Sequence, residues 1–454
     1  MSVIEQIVPD GYKQTEVGVI PDDWDVSSFD DISSLIGDGI HTTPNYDENG
    51  DFYFVNGNNL VNGSISLDGN TKKTNLTEYK KHKKPLDQKT LLLSINGTIG
   101  NVAEYNNESI VLGKSAAFIN VKKGTEKKYI FYVLGSHRTK LSFFDGLTGS
   151  TIKNLGLGTI RTTLLPLPPK KEQTAIANAL SDVDALLTEL EKLIAKKQAI
   201  KTATMQQLLT GKTRLPQFAT YTEGEKQGQP KGTKPSELGE IPEDWDVQPV
   251  YELAEGQKSL FDDGDWIEAE YITDKGVRLI QTGNIGVGRY QEKENKKYIS
   301  ESSFIKLKCK ELKQGDLLIC RLAEPAGRAC IFPDIGEEKI ITSVDVTIFR
   351  PPVETVNREY LLHYFSTNEW FSSVLEQVGG TTHKRISRGA LGRIRVPMPK
   401  LAEQTAIATI LSDMVNEIQT LEQRLAKTRQ IKQGMMQELL TGRTRLPINE
   451  RVEV

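Results

Sequence analysis

The sequence predicts an α+β protein: two similar mixed α/β domains separated by two long helices that form an antiparallel coiled coil, with a pseudo-twofold internal repeat. Three observations predict it. VGVIPDDWDV at 17–26 returns as LGEIPEDWDV at 238–247, and EQTAIANALSDVDALL at 172–187 returns as EQTAIATILSDMVNEI at 403–418, so one ancestral unit stands twice, head to tail. Strand-like runs punctuated by turn clusters fill the stretch ahead of each EQ segment. Within the EQ segments the apolar residues then recur alternately at four and three, the spacing of a helix with one buried stripe.

The first domain with its leader is placed at 1–168. FYFVNG (52–57), LLLSI (91–95) and AAFINV (116–121) read as strands between the turn clusters DENGD, NGTIGN and LTGST. YIFYVLGSHRTKLSFF (129–144) reads as one helical segment, and its counterpart YLLHYFSTNEWFSSVL starts at Tyr360. A helical spacer follows at 169–214, with a seam of Ile176, Leu180, Val183, Leu187, Leu190 and Ile194. Gly211 stands where a C-cap glycine belongs, with Pro216 as a stop. Residues 215–236, rich in Gly, Gln, Lys and Pro, read as a slack linker. The second domain is placed at 237–399. The second spacer with its tail, at 400–454, repeats the seam with Ile407, Leu411, Met414, Ile418, Leu421 and Leu425, and Gly442 and Pro447 repeat the cap and stop. A seam needs a partner, and each spacer is the natural partner of the other. An antiparallel pair is favoured because it leaves the linker slack, and it would set one domain at each end of a two-helix rod roughly 58 Å long.

Composition narrows the function. With 454 residues, 37% hydrophobic and 26% charged, the chain reads as globular. Its formal charge of −3 and pI near 6.1 argue against a solitary, non-specific nucleic-acid binder, whose grip comes from excess Lys and Arg. The three cysteines form no CxxC pair and have no His at ligand spacing, so neither a disulfide framework nor a zinc site is expected. The start lacks a signal-like apolar region and no apolar run approaches a membrane span, so a cytoplasmic protein without membrane contact is expected.

Catalysis has no visible seat. GKT at 211–213 invites a phosphate-loop reading, but Gln206 stands where the upstream glycine would be, no strand leads in, and the repeat reads GRTR at 442–445. The acidic triplets PDD at 21–23 and PED at 242–244 read as solvated turns. Neither a methyltransferase signature nor an HExxH motif occurs, and no metal or cofactor is expected on the chain.

The polar turns are the candidate site. Asn and Gln suit adenine, and Arg and Lys suit guanine, at major-groove edges, so such residues on loops of a rigid β scaffold are fitted to reading bases. In the first domain the candidates are His41, Thr42 and Thr43 in GDGIHTTPNY, Asn58 and Asn59 in the GNN turn, and Lys153 and Asn154 closing GSTIKN. In the second they are Asn284 in TGNIGVGR, Arg321 and Arg328 in CRLAEPAGR, and His383, Lys384, Arg385 and Arg388 in GGTTHKRISR. Ordinary turns use the same residue types, and for any single residue the two readings balance. Recurrence at corresponding places in both domains favours readout for the cluster that ends each domain.

With the duplicated IPxDW, the GN turn, the GxTxK segment, the P-x-P approach to EQ and the closing LLTGxTRLP in hand, the chain resembles the specificity subunit of type I restriction-modification systems over nearly its whole length. The resemblance is sharpest at PLPPKKEQTAIANALSD (166–182) and PMPKLAEQTAIATILSD (397–413). It implies that the domains are target recognition domains, each reading half of a split double-stranded DNA target, and that the coiled coil sets the gap between the halves. It implies no catalysis by the chain itself. Its partners would be two modification subunits carrying S-adenosylmethionine and restriction/motor subunits. The first domain has IHTTP where the second has DDGDWIEAE, so the halves are expected to differ and the target to be asymmetric. A coiled-coil scaffold joining two ligand-binding β domains without DNA, and a fused enzyme with an unrecognised site, are the competing readings.

Overall fold

The computed structural model of the chain describes residues 8–149, 153–379 and 384–447. It divides into two compact units, Met1–Glu191 with Gln423–Val454, and Lys192–Glu422. The first unit is therefore discontinuous and the second continuous, but each holds one globular domain, the N-terminal half of the helix that follows that domain, and the C-terminal half of the other long helix.

In the first unit, the hairpin Tyr12–Thr15/Gly18–Pro21 leads into Asp25–Ser28, which pairs antiparallel with Leu164–Leu167 and so clasps the start of the domain to its end. Between them lies an antiparallel sheet in the order Val102–Glu104, Thr90–Ser94, Ala116–Val121, Ser33–Asp38. Every residue of Thr90–Ser94 and Ala116–Val121 is buried, as apolar runs covered on both faces require. A smaller sheet pairs Ile110–Leu112 parallel to Phe52–Val55, whose other neighbour is Lys73–Thr74. The second unit repeats the plan. Asp246–Pro249 clasps Arg395–Met398, one antiparallel sheet runs Phe261–Asp263, Val346–Phe349, Leu317–Cys320, Ala329–Ile331, and the other contains the parallel pair Val277–Ile280/Ile340–Thr342.

The segment expected as one helix is two in each domain: Lys127–Gly135 then His137–Asp145, and Arg358–Tyr364 then Asn368–Glu376. Ser136 and Thr367 interrupt it. Their side chains accept the backbone N–H of Thr139 and Trp370 and so cap a new helix instead of prolonging the old one.

The two long helices run Lys170–Leu208 and Leu401–Leu439. Within each unit their halves lie antiparallel. Glu191 pairs with Arg429 and Asp184 with Lys432 in the first unit; in the second, Lys197 pairs with Glu417 while Met205 and Leu208 share a core with Ile407 and Leu411. Of the twelve predicted seam residues, Ile176, Leu180, Leu190, Ile194, Ile407, Leu411 and Ile418 are buried, and Val183, Leu187, Met414, Leu421 and Leu425 are partly so. None is exposed, because the alternating spacing keeps one stripe turned to the neighbouring helix.

A polar knot ties each unit together, and it explains why the repeated motifs travel as a set. Trp24, wholly buried, donates its indole N–H to Glu172 at 3.0 Å, and Arg445, from the tail beyond the second long helix, grips both Glu172 and Asp23. In the second unit Trp245 donates to Glu403 at 3.0 Å, and Arg214 grips Glu403 and Asp244. The IPxDW, EQ and TRLP motifs thus meet at one point, as an indole, a carboxylate pair and a guanidinium fork. Gly211 and Gly442 let the chain turn there. Both have φ +71°, and a Cβ on either would stand 2.4 Å from Pro242 or Pro21.

The stretch expected to be a slack linker is instead folded onto the second unit. Pro216–Ala219 is a short helix, Thr220 bridges Pro230, the Lys231 ammonium lies 2.7 Å from Asp244, and the Tyr221 hydroxyl donates to Glu243. Charged and aromatic side chains within a Gly-rich stretch found partners, which composition does not register. Among the described residues no helix is long and apolar enough to cross a membrane.

Candidate nucleic-acid interface

In the first domain three polar hollows follow one another along linked loops. One, about 250 Å³, is lined by Asp38, His41, Asn96, Lys114 and Asn154. It brings His41 and Asn154 together across more than a hundred residues, because the loop after Ser33–Asp38 and the strand Asn154–Leu155 both lie beside Asn96. His41 is exposed and its Nε2 stands 2.8 Å from Asp38. The side-chain oxygen of Asn96 is buried without a hydrogen-bond partner among the described residues. A second hollow, about 580 Å³, places Lys153 against Gly97, Thr98, Asn101 and Phe144. The third, about 370 Å³, contains Asn58 and Asn59 with Tyr46, Asn56, Asn70 and Lys72, whose ammonium lies 4.3 Å from the centre of the Tyr46 ring. Thr98 donates to the Gly57 carbonyl at 3.2 Å and so ties the loop of the first two hollows to the turn of the third. Thr42 and Thr43 are exposed next to His41.

Asn59 and Asn284 do the same internal work in the two domains. Each side-chain oxygen accepts the backbone N–H three residues earlier, at Asn56 and Gln281, and each amide donates to a carbonyl seven residues later, at Ser66 and Gln291. Recurrence of the GN turn is therefore accounted for by turn geometry, and Asn58 is the freely exposed member of the first pair.

In the second domain the predicted cations are largely turned to the protein itself. Arg321 is only 2% exposed; its guanidinium donates to the carbonyls of Ile386 and Val344 and lies 3.0 Å from Asp263. Arg328 donates to the carbonyls of Ile285, Leu322, Pro325 and Thr282, which fastens three loops together. Arg388 pairs with Asp262, and Arg385 with Asp345 at 3.0 Å. Expected at a base-reading surface, Asn284, Arg321 and Arg328 are internal rivets, because strand ends gather carbonyls that only a multi-donor side chain can satisfy. Lys384 is exposed, and His383 lies outside the described residues. The DDGD segment that distinguishes this domain faces inward: Asp262 and Asp265 meet Lys310, and burial raises the pKa of Asp265 above the ordinary carboxylate value.

Sequence reasoning missed Asn96, Lys114 and Lys72. NGTIGN was read only as a turn, and Lys114 and Lys72 stand in no motif, so spatial neighbourhood was their only signal. Among the described residues no cluster of His, Cys, Asp or Glu is arranged to hold a metal ion.

Comparison with known proteins agrees with this architecture. The model of the type I restriction modification DNA specificity domain matches residues 21–202 and again 242–430. The chain is 28% identical over 354 residues to the type I restriction enzyme MjaVIII specificity subunit of Methanocaldococcus jannaschii, covering 75% of this chain and 77% of that protein. It is 25% identical over 453 residues to the putative MjaX specificity subunit of the same organism, covering 96% and 97%. In fold it is similar to the crystal structure of the type I restriction-modification S subunit from M. genitalium, with a TM-score of 0.53 at 14% identity over 92% of this chain and 96% of that one. Since the matched segments span both halves of the repeat, from IPxDW through the long helices, the chain belongs to the type I restriction modification DNA specificity domain family, the non-catalytic specificity component of its systems.

Proposed function

We propose that the chain reads a bipartite, asymmetric double-stranded DNA target, one half with each domain, and that the paired helices fix the unread spacer and hold the modification subunits. The observation that carries this reading is the linked polar surface of the first domain, where His41, Asn154 and Lys114 share a hollow with Asn96, whose buried side-chain oxygen has no hydrogen-bond partner among the described residues, and Lys153 lines the next hollow. A buried acceptor without a donor is costly, and a nucleobase amino group supplies one. His41, Thr42, Thr43, Asn58, Lys153 and Asn154 are the proposed contacts of the first domain, with Asn96 and Lys114 added. Lys384 and Arg385 are those of the second. Asn59, Asn284, Arg321, Arg328 and Arg388 position the loops.

The names of the relatives support assembly with modification subunits, which would carry S-adenosylmethionine, and with restriction/motor subunits; one structural likeness, at TM-score 0.52, concerns complex assembly of a type I R-M system. Partners also account for DNA binding by a chain of net charge −3, since they can supply the missing positive potential.

Base-resolution mapping of methylated adenines, with the chain co-expressed with its modification subunit, tests the reading. The expected target has two parts and a fixed gap. Asn96→Ala should relax one part alone, at a cost of about 1–3 kcal/mol per lost base contact. A contiguous target, or equal loss of both parts, would overturn it.

A further inference from the structure

The internal repeat supplies its own control for a cavity in the second unit. In the first unit, helix Lys127–Gly135 docks on the two long helices through a closed polar cluster. The Tyr132 hydroxyl donates to Asp184 at 2.8 Å and lies 3.1 Å from Ser181, while the Lys432 ammonium sits 2.5 Å from the same Asp184. Beside it, Lys128 is paired with Glu104. The carboxylate of Asp184 therefore holds a lysine and a hydroxyl together.

The equivalent positions in the second unit, on helix Arg358–Tyr364 and the same two long helices, are His363, Ser412, Val415 and Lys201, because a shift of 231 residues superposes the long helices Lys170–Leu208 and Leu401–Leu439. The serine and lysine are kept. The aspartate has become Val415, and Ile331 stands in the strand that corresponds to Glu104, so neither of those two carboxylates has a counterpart at its own position. What remains is a cavity of about 810 Å³, lined by Lys201, His363, Ser412 and Val415, by Arg289, and by two carboxylates already engaged, Glu359 with Ser412 and Glu422 with Gln198, over an apolar floor that includes Met205 and Leu362. That volume lies in the ordinary range for small-molecule sites. His363 is hydrogen-bonded to Ser412 at 3.0 Å, and Ser412 in turn donates to Glu359 at 3.0 Å. The Lys201 ammonium makes no ion pair or hydrogen bond among the described residues, although it is half-buried. Burial lowers its pKa, and the neighbouring Glu359 is engaged with Ser412.

A half-buried, unpaired ammonium beside an apolar floor lacks the one group its twin possesses. We infer that this cavity binds a small organic carboxylate, its carboxyl group on Lys201 in the place that Asp184 takes in the first unit and its apolar stem over Met205 and Leu362. The site lies where the second domain meets its helices, so its ligand would brace that junction.

Butyrate is the probe. Full-length protein carrying ¹³C-labelled histidine rings is titrated with sodium butyrate against sodium chloride at equal ionic strength. The His363 ring signal should shift saturably with butyrate and not with chloride. Val415→Asp, which installs the first unit's own carboxylate, should abolish the saturable shift while leaving the melting temperature equal or higher. Lys201→Met should weaken butyrate at least tenfold. Butylamine, of the same stem and opposite charge, should produce no saturable shift. Absence of saturation in the parent chain, an unchanged response in Lys201→Met, or a preference for butylamine would each overturn the inference. If Val415→Asp fails to fold, the carboxylate cannot occupy that place, and this too counts against it.

Discussion

At the scale of single residues, the chain spends its guanidinium groups on itself. Arg214 holds Glu403, which is nearly inaccessible, and also Asp244, while Arg445 does the same for Glu172 and Asp23. The hydrogen bond from Arg445 keeps the Asp23 carboxyl below its usual pKa. Removing one partner from such a pair leaves a charge without solvent or counter-ion, so Arg214→Ala should lose about 3 kcal/mol in urea unfolding of the transition that reports Trp245 fluorescence. His363 gives a second test. Burial, and then the nearby Lys201, push its imidazole from 6.5 down to about 4. Between those values the unfolded chain takes up a proton that the folded chain refuses, so stability declines as pH falls from about 6.5 to about 4, by an amount on the order of 3 kcal/mol. The groups that face it are Ser412, Glu359 and Lys201. His363→Tyr, which places there the residue found at 132, should flatten that part of the pH profile of thermal unfolding; an unchanged slope would show that other groups carry it.

At the scale of elements, what was legible in the sequence is what repeats with a short period or a fixed string. Ala116–Val121 coincides with the expected run, and the seam spacing named twelve positions that all turn inward to some degree. Helix breaks were less legible. A serine or threonine within an apolar pattern caps a new helix only when the next turn offers it a free N–H, and the pattern at Ser136 and Thr367 does not announce that choice. The polar turns show the same limit. Asn58 and Asn59 are chemically alike, yet one faces solvent and the other closes its own turn, a difference set by two backbone hydrogen bonds.

At the scale of the whole molecule, the chain closes each unit with a segment from the far end of the other repeat. Arg445 meets Asp23 across 422 residues of sequence. Deleting residues 440–454 should therefore speed hydrogen exchange in the strands around 18–28, while the matching strands around 239–249, locked by Arg214, keep their protection; equal acceleration in both would contradict the separate knots. The sequence by itself determined the duplication, the α+β class, the two long helices and their seam, because each is written as a repeated string or a period along one dimension. Only the tertiary structure decided that the repeated motifs meet in a knot, that Arg321, Arg328 and Asn284 serve the scaffold, and that Asn96 and Lys114 join His41 and Asn154. Those outcomes depend on which carbonyls and carboxylates each side chain meets in space, and a polar group is satisfied by its neighbours there, however far along the chain they lie.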